Sequence, residues 1–477
     1  MSNSSKLSAR DRLCTLLDDN SFVEIGKLVT KRNTDFNLQT KEAPSDGVIT
    51  GYGVINGAPV YVYSQDASVL NGSVGEMHAK KIVKLYDMAL KMGAPIIGLV
   101  ESAGLRLQEA TDALNGFGEI FLKQTEASGV IPQITAVFGN CGGALAISSS
   151  LSDFTFMEAK NGKLFVNAPN CLDGNYDAKC DTSAASYQAA NTDNVDVVAD
   201  EDTILEKIRD LVTILPGDNQ GEYAFEETTD DLNRVCSSLE ASVSDPAIAL
   251  SQISDDALVF ETKADYAPEV VTAFIKLNSA TVGVVANRTV KYDENGEEKD
   301  KFEPVMTAQG CVKAADFVSF CDAFEIPVLT LTNVKGFKAC ECNEKKIAKA
   351  AAKLTYAFAN ATVPKVNVIV GEAFGSAYIA MNSKAIGADV TIAWPNAKIG
   401  SMDAKMAAKI ICDGKGSDAI AECTKEYEAL QNNVESAASH GYVDEIVEPA
   451  DTRKYVIGAF EMLYSKNSVA AKKHGTV

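Results

Sequence analysis

The sequence predicts an α/β protein made of two tandem halves related by internal duplication, each half carrying a parallel sheet. Two observations predict it. First, five landmark residues recur at one offset: Pro95/Pro327, Gly104/Gly336, Pro132/Pro364, Gly139/Gly371 and Gly143/Gly375 are each 232 positions apart. Second, within each half, apolar runs of strand-forming residues alternate with a helical segment, as in a βαβ unit. Chance can match one pair of glycines. Five landmarks in one register point to duplication, against two unrelated α/β halves that happen to share turns.

The elements follow in order. Ala94–Gly104 (APIIGLVESAG) and Ile326–Gly336 (IPVLTLTNVKG) each read as proline, a strand and a terminal glycine. A helical segment comes next, Leu107–Gly129 in the first half and Asn343–Ala361 in the second. In the latter, Ile347, Ala350, Ala351, Leu354 and Phe358 recur at helical spacing, so one face is expected to be buried. A second strand follows, GVIPQITAVFGNCGG ending at Gly143 and ATVPKVNVIVGEAFG ending at Gly375. Each runs into a small-residue turn that opens a helix: Cys141-Gly142-Gly143-Ala144 and Phe374-Gly375-Ser376-Ala377. The uncharged stretch Ala127–Ser152 is long enough to span a bilayer. Its proline, amide residues, glycines and serines fit a buried strand, a turn and a buried helix better. The turn Pro216-Gly217-Asp218-Asn219 and the acidic run Glu226–Asp231 put the boundary near residue 225, giving domains 1–225 and 226–477.

Composition narrows the function. The chain has 477 residues, 46% of them hydrophobic and 23% charged, which is ordinary for a globular protein. A net charge of −21 repels phosphates, so nucleic acid is not an expected partner. Eleven cysteines are scattered along the chain with no CxxC pair, and only Cys340 and Cys342 sit close together. A zinc ribbon is therefore not expected, and reduced thiols in a cytoplasm are the simplest account. The first residues, MSNSSKLSARDRL, lack the apolar core of a signal peptide.

The two turns are the candidate site. Backbone N–H groups at a helix start have no intrahelical acceptor, and the helix dipole favours negative charge there. Small residues let a ligand oxygen reach those groups, which makes an oxyanion hole. Tight strand–helix packing explains a single Gly-Gly turn equally well, but two at equivalent repeat positions carry more weight. Side chains supply little else. The histidines are His78, His440 and His474, and there is no HExxH motif or phosphate-binding GxxxxGK[ST] loop. No metal site is expected.

These residues also match a family. The segments SDGVITGYGVINGAPVYVYSQD (Ser45–Asp66), GSVGEMHAKKI (Gly72–Ile82), LRLQEATDAL (Leu105–Leu114) and LSDFTFM (Leu151–Met157) carry the likeness in the first half. VGVVANR (Val282–Arg288), YAFANATVPKV (Tyr356–Val366), AYIAMNSKAIGADVTIAWP (Ala377–Pro395) and GYVDEIVEP (Gly441–Pro449) carry it in the second. Nearly end to end, the chain resembles the biotin-dependent acyl-CoA carboxyltransferases, the propionyl-CoA carboxylase β subunit and methylmalonyl-CoA decarboxylase α subunit type.

The resemblance implies two crotonase-like domains. The N-terminal one takes the acyl-CoA thioester and the C-terminal one takes biotin carried by a partner protein. It implies oxyanion holes at Gly143-Ala144 and Ser376-Ala377, with Gly142, Gly104, Gly375, Phe374 and Ile379 contacting substrate. It further implies a biotin carboxyl carrier protein, a biotin carboxylase or membrane decarboxylase subunits as partners, a homo-oligomer that is a dimer or a multiple of dimers, and a cytoplasmic location, free or at the periphery of a membrane complex. Neither Leu90-Lys91-Met92 nor Ala404-Lys405-Met406 is a Met-Lys-Met biotin attachment motif, so carboxybiotin is expected from another chain. The sequence departs from the family pattern at Gly371-Glu372, at Ser376 and in Lys338-Ala-Cys-Glu-Cys-Asn, which leaves the acyl group open. Two other readings remain. One is a catalytically weakened scaffold subunit. The other is a biotin-independent crotonase-type hydratase or isomerase using Glu101 or Glu109 as base, residues that a structural ion pair or a solvated helix start explains more simply.

Overall fold

In each half a two-residue hairpin comes before the first crossover. The computed structural model of the protein describes residues 6–32, 41–219, 228–293 and 295–466. The expected boundary near residue 225 and His474 lie outside them. The chain divides into two compact units, Met1–Glu222 and Tyr223–Val477.

In the first unit the strands are β1 (Val23–Ile25), β2 (Val48–Ile55), β3 (Ala58–Gln65), β4 (Ile96–Ser102), β5 (Gln133–Gly142), β6 (Phe154–Glu158), β7 (Lys163–Phe165) and β8 (Val197–Ala199). They form one sheet in the order β1-β2-β3-β4-β5-β6-β8, with β7 paired to the end of β5. In the second unit the strands of the main sheet are β9 (Val259–Thr262), β10 (Val270–Leu277), β11 (Ala280–Asn287), β12 (Val328–Val334), β13 (Lys365–Phe374), β14 (Val390–Ala393), β15 (Lys398–Gly400) and β16 (Glu445–Ile446). Their order is β9-β10-β11-β12-β13-β14-β16, with β15 on β13. The two sheets have one topology. β4 and β12, like β5 and β13, begin and end 232 residues apart.

The sheets are mixed rather than wholly parallel. β1, β2 and β3 pair antiparallel, as do β9, β10 and β11, and the remaining neighbours are parallel. The reason is local. Asn56 and Gly57 have φ of 49° and 82°, and Asn278 and Ser279 have φ of 50° and 64°, the left-handed pair that a tight hairpin demands. Asn-Gly at 56–57 is a strong hairpin signal that the alternation argument passes over.

Helix α1 (Glu76–Met92) shows how the crossovers are stabilised. His78, Ala79, Ile82, Leu85, Tyr86 and Ala89 lie on its buried face. Each large apolar side chain there contributes about 1.5–3 kcal/mol of burial energy. Gly93 ends the helix with φ of 61°, a left-handed cap that costs glycine little. Helix α2 (Ala110–Ala127) covers the next crossover. The short helix α3 (Ala144–Ser150) follows β5. In the second unit α4 (Ala308–Ala323), α5 (Glu341–Asn360) and α6 (Gly375–Ala380) take the same places. On α5, Ile347, Ala350, Leu354 and Phe358 are buried as expected, and Ala351 is half-buried.

The duplication reaches the polar interior. Lys81 in α1 and Lys313 in α4 are 232 residues apart and both are buried. Lys81 donates to Ser45 O at 3.0 Å, to Ser45 Oγ at 2.5 Å and to Val48 O. Lys313 donates to Lys263 O and Tyr266 O at 2.8 Å and to Val270 O at 2.7 Å. Each ammonium thus ties the first crossover helix to the start of its hairpin. Burial pushes the two amines down to about 8 and about 7. Gln65 Oε1 accepts from Glu101 N at 3.2 Å, and Asn287 Oδ1 accepts from Asn333 N at 2.9 Å, so the hairpin also steadies the strand that follows.

His78 makes acid stability measurable. Its ring is fully buried, with Nδ1 3.0 Å from Asp46 O and Nε2 3.2 Å from Gln65 Nε2. A neutral ring protonated on Nδ1 satisfies both. Burial, with Arg106 beside it, lowers its pKa to about 3. In the unfolded chain the ring takes a proton below about pH 6.5. Its contribution is therefore complete above that pH and is lost as pH falls toward 3, at up to about 1.4 kcal/mol per pH unit. Urea unfolding between about pH 7.5 and about pH 5 should show this slope, and His78→Gln should flatten it by about one proton. Equal slopes for the two proteins would refute the assignment.

Candidate functional site

The site is built where β5 and β13 run out into helices. β5 forks near its end: Ile134–Val137 pair with β6, and Asn140–Gly142 pair with β7. β13 divides the same way between β14 and β15. The fork frees the chain to bend at the next residue. Gly143 has φ of 63° and Gly375 has φ of 62°, a region L side chains avoid.

In the first unit, Gly142, Gly143, Ala144 and Gly104 come together. A Cβ on Gly142 would stand 2.7 Å from the Phe165 ring, which would have to move to admit it. A Cβ on Gly104 would stand 3.5 Å from Gly142 O, which puts the turn after β4 against the turn after β5. The Gly143 N–H donates to Phe165 O at 2.8 Å. That amide is already used, so Gly143 supplies the bend. The first-turn donors of α3 begin at Ala144, which has no intrahelical acceptor by position.

In the second unit Phe374 is buried at the end of β13, Gly375 opens α6, and Ser376 and Ala377 are its next two residues. Ser376 and Ala377 therefore stand in the register of Ala144 and Leu145. Ser376 is exposed and Ala377 is buried.

A cavity of about 700 Å³ opens beside this second turn. Gly375, Tyr378 and Ile379 form one wall. Helix α7 (Ser417–Gln431) adds Tyr427, helix α8 (Val434–Ser439) adds Ser436, and the chain after it adds His440 and Tyr442. The His440 and Tyr442 rings stack at 6.1 Å with 11° between planes. His440 Nδ1 lies 2.7 Å from Ser436 O, which makes Nδ1 the donor in a neutral ring and leaves Nε2 as acceptor. Tyr378 is buried enough that its hydroxyl is pushed up to about 12. Lys384 also lines the cavity, and its ammonium is paired with Asp444. Sequence reasoning missed Tyr427, His440 and Tyr442, because only the fold carries them back to residue 375.

A smaller cavity of about 290 Å³ in the first unit is lined by Asn71, Glu101, Ser102 and Asn140. Glu101 is held by Arg12 at 2.9 Å and by Lys6. Glu109 is buried, paired with Arg106 at 2.8 Å, and accepts from Glu76 N at 2.6 Å. Both carboxylates are committed to ion pairs, and a general base for hydration would need one of them free. Among the described residues there is no cluster of three or more His, Cys, Asp or Glu able to hold a metal, and no helix is long and apolar enough to cross a membrane.

Comparison with known proteins sets this geometry beside others. The family model for the carboxyl transferase domain matches residues 2–477. The chain is 40% identical to the propionyl-CoA carboxylase beta chain of Roseobacter denitrificans, over 99% of this chain and 94% of that one. It is 38% identical to the methylmalonyl-CoA decarboxylase subunit alpha of Propionigenium modestum, over 99% and 93%. Its fold is similar to the crystal structure of transcarboxylase 12S, described as a hexamer assembly with hydrolysed methylmalonyl-coenzyme A bound. That match has a TM-score of 0.91 and 35% identity, and covers 98% of this chain and 92% of the other.

Proposed function

The chain belongs to the carboxyl transferase family, and from that membership we propose that it moves a carboxyl group between biotin on a partner protein and the α-carbon of a short acyl-CoA. The observation that carries the proposal is the pair of left-handed glycine turns at 143 and 375, each opening a helix at the same place in a duplicated sheet. A thioester whose α-carbon gains or loses a carboxylate passes through an enolate, with its charge on the thioester oxygen. Ala144, on the bend set by Gly143, donates its N–H to that oxygen. Gly104 and Gly142 keep the approach free of side chains. Because the charge exists only in the reacting state, such donors raise the rate rather than merely tighten binding.

Biotin, when bound, supplies a carboxyl carried on its ureido ring. The cavity beside Gly375 suits that group: Gly375, which opens α6 ahead of Ser376 and Ala377, lines it, and the stacked His440 and Tyr442 present a flat wall to a flat ring. The domain division at residue 225, acyl-CoA in the first half and biotin in the second, belongs to the same reading. So do a homo-oligomer, a dimer or a multiple of dimers, a biotin carboxyl carrier partner, and a biotin carboxylase or membrane decarboxylase subunit beside it. Eleven free cysteines support a reducing, cytoplasmic compartment.

By the family resemblance Ile379 faces the acyl group as well as lining this cavity; it is partly exposed and offers no charge to a second carboxylate, and the nearby cation Lys384 is already paired. A short aliphatic acyl group such as methylmalonyl-CoA is therefore the expected substrate. The same turns serve both directions of transfer, and loss of the carboxyl is what the chain alone can show. Malonyl-, methylmalonyl- and glutaconyl-CoA, each incubated with and without free biotin, are followed by mass spectrometry of the acyl-CoA. The expected result is biotin-dependent decarboxylation of methylmalonyl-CoA. Turnover that ignores biotin, or that occurs with glutaconyl-CoA alone, would overturn the proposal.

A further inference from the structure

We propose that Cys340 and Cys342 form a reversible dithiol–disulfide site at the start of α5, oxidised by a small-molecule disulfide such as oxidised glutathione. Their Sγ atoms lie 3.0 Å apart, about 1 Å beyond a covalent S–S bond. Cys342 is exposed and Cys340 is partly so, whereas Cys141, Cys311 and Cys321 are buried. The repeat does not need sulfur here, because the positions 232 residues earlier are Gln108 and Ala110.

The surrounding backbone is held without help from the thiols. Buried Asn343 accepts from Ala308 N at 2.7 Å through Oδ1 and donates from Nδ2 to Lys338 O at 2.8 Å. Lys338 N donates to Met306 O at 3.0 Å. The side chains of residues 340 and 342 can therefore change partners while the loop keeps its frame. That loop follows Gly336, and α5 packs against α6, so the dithiol stands on the helix that flanks the second turn.

The chemistry balances without a metal. Cys340 is the attacking sulfur. The S–H of Cys342, the Asn343 N–H and Lys338 favour its thiolate, while Cys342 itself is shifted upward by that same thiol contact. The thiolate displaces one glutathione thiolate and forms a mixed disulfide. Cys342 then loses its proton, attacks the Cys340 sulfur and releases the second glutathione. Two protein thiols are oxidised, and one glutathione disulfide is reduced to two thiols.

The test uses the full chain in graded mixtures of reduced and oxidised glutathione, quenched, digested with trypsin and read by mass spectrometry. The tryptic peptide Ala339–Lys345 holds both cysteines. It should appear as an internal disulfide, two hydrogens lighter and free of adduct, and dithiothreitol should reverse it. Cys342→Ser should retain glutathione on Cys340. Cys340→Ser should take glutathione on Cys342 at least about threefold more slowly than Cys342→Ser takes it on Cys340, because Lys338 favours the thiolate at position 340. The proposal is overturned if the wild-type peptide stays reduced once exposed Cys14 and Cys171 carry glutathione, or if it accumulates a stable adduct on Cys342.

Discussion

Valine at Gly143 or at Gly375 is expected to lower carboxyl transfer by at least about a hundredfold while leaving each domain folded, a loss near that of one oxyanion donor, about 2.7–4 kcal/mol. The two substitutions act by different routes. Around Gly143 no atom beyond its chain neighbours lies within 4 Å of an added Cβ, so nothing in the rest of the fold clashes. The cost is conformational: φ of 63° is disfavoured for any L side chain by about 1–2 kcal/mol, and more for a β-branched one. The turn relaxes, and the Ala144 N–H swings off its line. At Gly375 the same strain applies, and the added Cβ would also meet Ser401 O at 3.2 Å. Gly118→Ala, on the exposed face of α2 with open space around it, is the control and should keep full activity. Steady-state kinetics with methylmalonyl-CoA and biotin, beside urea unfolding, separate the effects. Unchanged kinetics in either valine variant would reject that turn as part of the site.

How much of this was legible beforehand depends on which interactions the chain states locally. The offset of 232 could be read because prolines and glycines mark strand ends by their own backbone limits. The predicted strands match β4, β5, β12 and β13, and the two turns lie where they were expected. The hairpins escaped because β2–β3 and β10–β11 repeat at an offset of 222, so an insertion between hairpin and first crossover hides them from a search at 232. The Gly143 amide was assigned a donor's part, and its commitment to Phe165 could not be foreseen. β7 is three residues long and too short to announce itself by alternation. Lys81 and Lys313 look like ordinary amphipathic-helix lysines until the carbonyls around them are seen. His440 and Tyr442 reach the cavity only through α7 and α8, and no periodicity records that path. Glu101 and Glu109 were readable the other way, since arginine and lysine partners for acidic residues are common enough to favour ion pairing over catalysis.

Arg106→Met is expected to destabilise the first unit by about 3–5 kcal/mol, because it leaves two buried carboxylates without their cation. Arg106 donates to Asp46 at 2.6 Å and to Glu109 at 2.8 Å, and all three side chains are almost fully buried. It also reaches Ser73 O at 2.6 Å and Ser73 Oγ at 3.2 Å. One guanidinium thus ties the chain before β2, the loop leading into α1 and the loop after Gly104, which backs the first turn. Desolvation already drives the Asp46 pKa upward, and Arg106 is the largest of the contacts that oppose it, ahead of the His78 N–H. Without that cation burial and the nearby Glu109 push the Asp46 carboxyl further up, and it takes up a proton. The destabilisation should therefore be largest near neutral pH and shrink toward about pH 5 as that proton becomes available. Arg32→Met makes the contrast, since Arg32 pairs with Glu76 and Asp112 but is 48% exposed. Its loss should cost no more than about 1 kcal/mol. Urea midpoints for both variants at neutral and acid pH decide the matter. Equal shifts for Arg106→Met and Arg32→Met, or a deficit that widens as pH falls, would show that the buried cluster does not hold the frame behind Gly104.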